Sequence, residues 1–275
     1  MSDEVDTPHP GSAPDPGRAA SANPAFAHAL GALREQLAHL EAAVAPEADV
    51  RSAETRLRPT WQRGHAGEDR FPVALVVVVA IALQVVLPAD LEFKPTWLLP
   101  ALEGALLVGI VAANPRRIDR TSTLLRSASV GLIALTSLAN AYSSAQLING
   151  LINGSEGQNA GPLLSSGASV YLTNIIVFAL WYWEWDRGGP VARAQGRRPY
   201  PDFLFPQMTQ SHLAPDDWVA TFLDYLYVSF TNATAFSPTD TMPLARWAKM
   251  LMLLQSAVSL ITVALVIARA VNILK

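Results

Sequence analysis

The feature that most constrains this chain is the length of its apolar blocks. A bilayer core about 30 Å thick offers no water to a peptide group, so only helices of about 20 apolar residues, or closed barrels, cross it. Here the apolar residues come in continuous blocks, without the alternation of a barrel strand, at 71–88, 97–115, 122–148, 169–185 and 243–274. A sixth block, 218–236, is 19 residues long and carries an acid, Asp224. At about 1.5 Å per residue it reaches about 28 Å. Its length therefore favours a crossing over re-entry. The expected fold class is all-α, a polytopic membrane protein with six transmembrane helices. Composition agrees: 51% of the residues are hydrophobic and 16% charged, where a soluble domain carries about 25% charged.

The first 70 residues are polar and show no signal peptide. Residues 1–23 are rich in Pro, Ala, Gly, Ser and Asp, a composition that predicts a disordered tail. Phe26, Leu30, Leu33, Leu37, Leu40 and Val44 then follow a 4-3-4-3-4 spacing, which puts one apolar seam on a helix. The seam fits either an isolated amphipathic helix or an oligomerising coiled coil. Residues 24–70 thus read as a cytoplasmic amphipathic helix and a charged linker, and 71–275 as the membrane domain.

Basic residues near the span ends set the orientation. Arg58, Arg63 and Arg70 precede the first span; Arg116, Arg117, Arg120 and Arg126 lie between the second and third; Arg187, Arg193, Arg197 and Arg198 follow the fourth. The alternate loops are nearly free of them. The N-terminus and both arginine-bearing loops are therefore expected in the cytoplasm, and six crossings would return the C-terminus there too. Trp97, Trp181, Trp183, Trp185, Trp218 and Trp247 all fall at predicted span ends, as an interfacial belt requires.

Polar groups inside spans are costly and are candidates for function. Glu103 lies in the second span and Asp224 in the fifth; Asn140, Asn174 and Gln255 are amides that fit interhelical bonding. Glu184 and Arg269 are expected to snorkel near the cytoplasmic face. With no cysteine, thiolate chemistry and disulfides are excluded. The five histidines lie outside the spans without metal-ligand spacing, and no hydrolase, nucleotide-binding or zinc-protease motif occurs. The expectation is a chain that is not an enzyme and has no cofactor, no metal and no nucleic-acid partner. WYWEWDRGGP at 181–190 reads as a membrane-exit anchor, and PDFLFPQM at 201–208 as an interfacial elbow.

Two resemblances add to this. FLDYLYVSFTNATAFSPTD followed by RWAKMLMLLQSAVSLITVALVIARAV resembles the pore helix, filter segment and inner helix of potassium channels. WYWEWDRGGP, PDFLFPQM, SFTNATAFSPTDTMPLARWAKMLM and ARAVNIL together are similar to a family of bacterial (actinobacterial) multi-pass membrane proteins, over roughly residues 70–275, with no activity attached. The channel resemblance implies a pathway lined by Thr231, Asn232, Thr234 and Asp240; Glu103 and Asp224 are separate candidates, as acids inside spans. It does not imply potassium selectivity. Ala235-Phe236-Ser237-Pro238-Thr239 stands where a glycine-rich filter would, and proline fixes a φ that such a filter cannot use. A plainer reading has Asp240 or Thr241 capping the last helix, with Pro243 in its first turn. The sequence therefore supports a channel-like or transporter-like protein of the bacterial plasma membrane, with a homo-oligomer as one assembly open to it, or else a non-conducting scaffold.

Overall fold

The structure is a computed structural model that describes residues 28–40, 59–113, 117–118, 122–154, 159–234 and 240–274. The tail over 1–23, Phe26, Val44 and the filter-like residues 235–239 lie outside these. The chain divides into two units, Met1–Arg58 and Pro59–Lys275. In the first, helix α1 spans 28–40 and exposes Leu30, Leu33, Leu37 and Leu40, four members of the expected seam.

The second unit is a helix bundle. Its elements are β1 (Glu68–Asp69), α2 (Phe71–Val85), α3 (Leu98–Ala113), β2 (Arg117–Ile118), α4 (Thr123–Asn153), α5 (Ala160–Trp185), α6 (Pro190–Ala194), β3 (Phe203–Leu204), α7 (Pro206–Thr209), α8 (Phe222–Thr234), β4 (Met242–Pro243) and α9 (Arg246–Leu274). Among the described residues, α4, α5 and α9 are long and apolar enough to cross a membrane; α2 and α3 are apolar but have 15 and 16 residues. The ends of these helices follow local rules. Pro72 sits in the first turn of α2, where its missing N–H is not needed. Ser122 caps α4 by accepting from the Leu125 N–H at 3.4 Å. Gly154, at φ +70°, ends it in the left-handed conformation that glycine adopts freely.

α5 is the central helix. Of its apolar stretch 72% is buried, against 28% for α4 and 22% for α9, and it packs against α2, α4, α8 and α9. Small residues allow the closest approach: a Cβ on Gly167 of α5 would lie 2.8 Å from the methyls of Val266 on α9.

Both small sheets sit at one end of the bundle, which also carries most of the described arginines of this unit. β1 and β2 pair antiparallel, Glu68 with Ile118 and Asp69 with Arg117, so α2 departs from this end and α3 returns to it. Arg126, near the start of α4, lies 3.6 Å from Glu184 at the end of α5, so this pair also departs and returns. β3 and β4 pair Phe203 with Pro243 and Leu204 with Met242, which fixes the start of α9 at the same end. At the far end Leu147, Leu151, Leu163, Val170, Val266 and Ala270 form a separate apolar cluster with Leu87 and Leu91.

The chain differs from its expected course at 218–236. α8 has 13 residues and a length of about 20 Å, well short of the hydrocarbon thickness of about 30 Å. Its Tyr225 bonds Asp186 at the arginine-bearing end, while Asn232, two turns on, bonds the carbonyl of Met252 in the second turn of α9. By Met242 the chain is back beside Leu204. The segment thus leaves and rejoins the same end. Pro243 belongs to β4, and α9 begins at Arg246, so the expected cap at Asp240 or Thr241 with Pro243 in the first turn is not what starts this helix. Arg269 lies toward the far end of α9, away from Glu184.

Candidate functional site

The six expected site residues are not brought together. Glu103, on α3, is fully buried and accepts from the Gln84 amide of α2 at 3.2 and 3.4 Å. Thr136 of α4 also contacts this carboxyl, so Glu103 sits where α2, α3 and α4 meet. Asp224 closes the first turn of α8: its Oδ2 accepts from the Thr221 N–H at 2.7 Å and from the Thr221 hydroxyl at 3.0 Å. This is one arm of a capping box, in which an acid in the first turn takes up a donor the helix cannot satisfy. Thr231 donates to the carbonyls of Tyr227 and Val228, and Thr234 to that of Thr231, so both hydroxyls bond their own helix. Asp240 is exposed at the bend before β4.

Asn232 is the exception, because it joins a network. Its amide donates to the Met252 carbonyl at 2.9 Å and to Gln255 Oε1 at 2.8 Å, and it accepts from the Ser256 hydroxyl at 3.1 Å. Gln255, fully buried, also accepts from the Tyr182 hydroxyl at 2.6 Å and donates to both the hydroxyl and the carbonyl oxygen of Ser229. Ser229 in turn donates to the Ile175 carbonyl at 2.6 Å. Lower down, Asn174 donates to the Ser259 hydroxyl at 2.9 Å. In hydrocarbon each of these bonds holds helices together for lack of any other partner. The amides read in the sequence as packing groups have that role at Asn174 and Gln255.

The charged chemistry lies elsewhere, at the arginine-bearing end. After Trp185 the chain turns through Arg187 at φ 53° and Gly188 and Gly189 at φ 85° and 99°. A Cβ on Gly189 would meet the Glu184 carbonyl at 2.9 Å, so this turn requires glycine there. The turn folds α6 back under the bundle and buries Arg193, 2% exposed, against Glu68, 6% exposed, at 2.7 Å. Arg193 also donates to the carbonyls of Trp183 and Asp186 and lies over the rings of Trp183 and Tyr225. Glu68 takes a second bond from Trp183 Nε1 at 2.7 Å. Burial works against the Arg193 charge, but the oxygens of Tyr225, Glu68 and Asp186 more than offset it, and its pKa is raised.

Asp186, fully buried, accepts from the N–H groups of Asp202 and Phe203 and from the Tyr225 hydroxyl at 2.6 Å. Asp202 accepts in turn from the Arg187 N–H and from Trp247 Nε1. Arg187 reaches the carbonyls of Trp61 and Arg198. One ionic knot therefore ties together the segment before α2, the end of α5, the start of α8 and the start of α9. The exit anchor expected at 181–190 is this knot, and the elbow expected at 201–208 is β3 with α7, its Phe203 and Phe205 buried.

Beside the knot opens a cavity of about 240 Å³, lined among others by Arg70, Arg126, Arg197, Glu184 and the Gly188–Gly189 turn. Among the described residues no cluster of three acids, histidines or cysteines is placed to hold a metal ion. No protein-family model, curated protein or solved structure matches the chain.

Glu68, Asp186, Arg193 and Tyr225 escaped sequence reasoning because each is an ordinary interfacial residue until the turn at 187–189 closes. The Gly-Gly-Pro of that turn was the one available signal.

Proposed function

We propose that this protein is a non-conducting membrane scaffold. In this reading α2, α3, α4, α5 and α9 cross a bacterial plasma membrane and α8 re-enters from the cytoplasmic side. The knotted, arginine-bearing end then faces the cytoplasm, as the bias of basic residues toward that side favours, and the C-terminus lies outside. The arrangement gives a rigid platform in which four chain segments are fixed to one another by buried charge, and a scaffold needs such a surface to present to partners. The exposed leucines of α1 support an interaction role outside the membrane.

One observation carries the choice over the channel-like reading. The polar side chains of α8 that would line a pathway are engaged within the protein, Ser229 and Asn232 with α5 and α9, Thr231 and Thr234 with their own helix. A pore needs such groups free to replace an ion's water. The test is flux of potassium, sodium and protons through purified protein in liposomes under an imposed gradient. The scaffold reading predicts leak no greater than that of empty vesicles. Flux that is lost in Asp240→Ala or Glu103→Gln would refute it.

A further inference from the structure

The cavity at the arginine-bearing end has the make-up of an anion site. Arg70, Arg126 and Arg197 face it with three positive charges, and Glu184 is the one acid in its lining. One acid faces these three cations, so the lining keeps a net positive charge. Arg70 Nε is buried without a hydrogen-bond partner. Arg126 forms an ion pair with Glu184 at 3.6 Å, and its side chain remains 59% exposed. Arg197 is exposed. The first turn of α4, Ser122 and Thr123, opens into the same space, and its N–H groups and dipole favour negative charge. Gly188 and Gly189 complete the lining.

A separate narrow crevice of about 40 Å³ lies beside it, sharing Arg70, Ser129 and Trp183, between α2, α3, α4 and α5 and lined by Val77, Leu107 and Leu132. An arginine-lined mouth beside an apolar cleft fits a ligand with a charged head and an apolar continuation. Guanidinium groups suit phosphate best, because their paired N–H donors match two phosphate oxygens. Basic pockets between helices at the cytoplasmic side of a membrane recognise lipid headgroups on the same physics.

We propose that this cavity binds the phosphate group of an anionic phosphate compound, either a lipid headgroup or free phosphate, through Arg70, Arg126, Arg197 and the first turn of α4. The inference stands whether or not the protein conducts.

The test uses the full chain in phosphatidylcholine nanodiscs, with thermal unfolding as the readout. Two probes are compared, inorganic phosphate added to the buffer and phosphatidic acid incorporated in the disc. A rise in melting temperature with phosphatidic acid alone assigns the site to a lipid headgroup; an equal rise with inorganic phosphate assigns it to a free anion. In either case Arg126→Gln/Arg197→Gln, at two exposed positions that folding tolerates, weakens the half-saturating concentration by about tenfold or more. The Lys pair at the same positions retains part of the binding. Arg246→Gln, an exposed cation outside the cavity, leaves it unchanged. No rise with either probe overturns the proposal. A rise that persists in the double Gln variant, or that Arg246→Gln lowers equally, also overturns it, since general surface charge then accounts for the binding.

Discussion

Replacing Glu68 with Gln tests the knot that organises the arginine-bearing end. The carboxylate uses both oxygens, Oε1 toward Arg193 Nη2 at 2.7 Å and Oε2 toward Trp183 Nε1 at 2.7 Å. An amide of the same shape can accept only one of these bonds. Its NH2 then confronts a buried donor, and Arg193, 2% exposed, loses the acid it contacts. Leaving a buried donor unmatched costs about 1–3 kcal/mol, and removing one partner of a buried ion pair costs about 3–5 kcal/mol in all. The assay is reversible unfolding by sodium dodecyl sulfate in mixed micelles. Glu68→Gln is expected to lose about 3–5 kcal/mol, and Glu68→Met/Arg193→Met to lose clearly less than the sum of its two single changes, because the pair is removed together. A Glu68→Gln protein within about 1 kcal/mol of wild type, or additive single changes, would refute a coupled buried pair.

Three further changes probe other parts of the bundle. Gln255→Leu removes four bonds among α5, α8 and α9; at about 0.6 kcal/mol per interhelical bond the expected loss is about 2 kcal/mol in the same assay. Gly167→Ala should destabilise the wild type, since its Cβ would lie 2.8 Å from Val266. The same change should stabilise a Val266→Ala protein, where the space is open and alanine is the better helix former; equal signs in both backgrounds would show that the contact is not tight. His65 has a lowered pKa because burial opposes its charge; Glu68 works the other way, and Arg193 and Arg187 add to the lowering. The unfolded chain therefore takes up this proton more readily, so His65 makes stability fall as pH drops below about 6.5. Unfolding measured from pH 8 to pH 5 should show a shallower fall in His65→Gln.

The fold was legible in proportion to how far it depended on burying apolar blocks. The long blocks that became α4, α5 and α9 announced themselves, and their boundaries shifted by a few residues, except that α5 begins at Ala160, nine before the expected start. What went unread at 218–236 was local chemistry. Thr221-Phe-Leu-Asp224 is a capping-box spacing, and it marks a helix that starts at Phe222 and leaves 13 residues where a crossing needs about 20. Length counted from Trp218 concealed this. Pro243 suits the first turn of a helix by its local sequence; the pairing of Met242-Pro243 with Phe203 and Leu204 depends on residues about 40 positions away and leaves no local trace.

The site residues show the same division. Asn174 and Gln255 bond across helices as amides in apolar segments must. Asp224, read as an acid inside a span, and Thr231, read from the outline of a pore, bond locally at α8 instead. The Glu68–Arg193 pair joins residues 125 apart in sequence, and only the glycine turn at 188–189 brings them into contact.

The central claim is the course of the chain after α5, a segment that returns to the end it left and a last helix that finishes on the opposite side. The absence of native cysteine makes it directly measurable. Single cysteines at Tyr200, Asp240 and Asn272, all exposed, are probed in sealed, oriented vesicles with a membrane-impermeant maleimide. The account predicts that Tyr200→Cys and Asp240→Cys label from the same side and Asn272→Cys from the other. Labelling of Asp240→Cys on the side opposite Tyr200→Cys, or of Asn272→Cys on the same side, would contradict it.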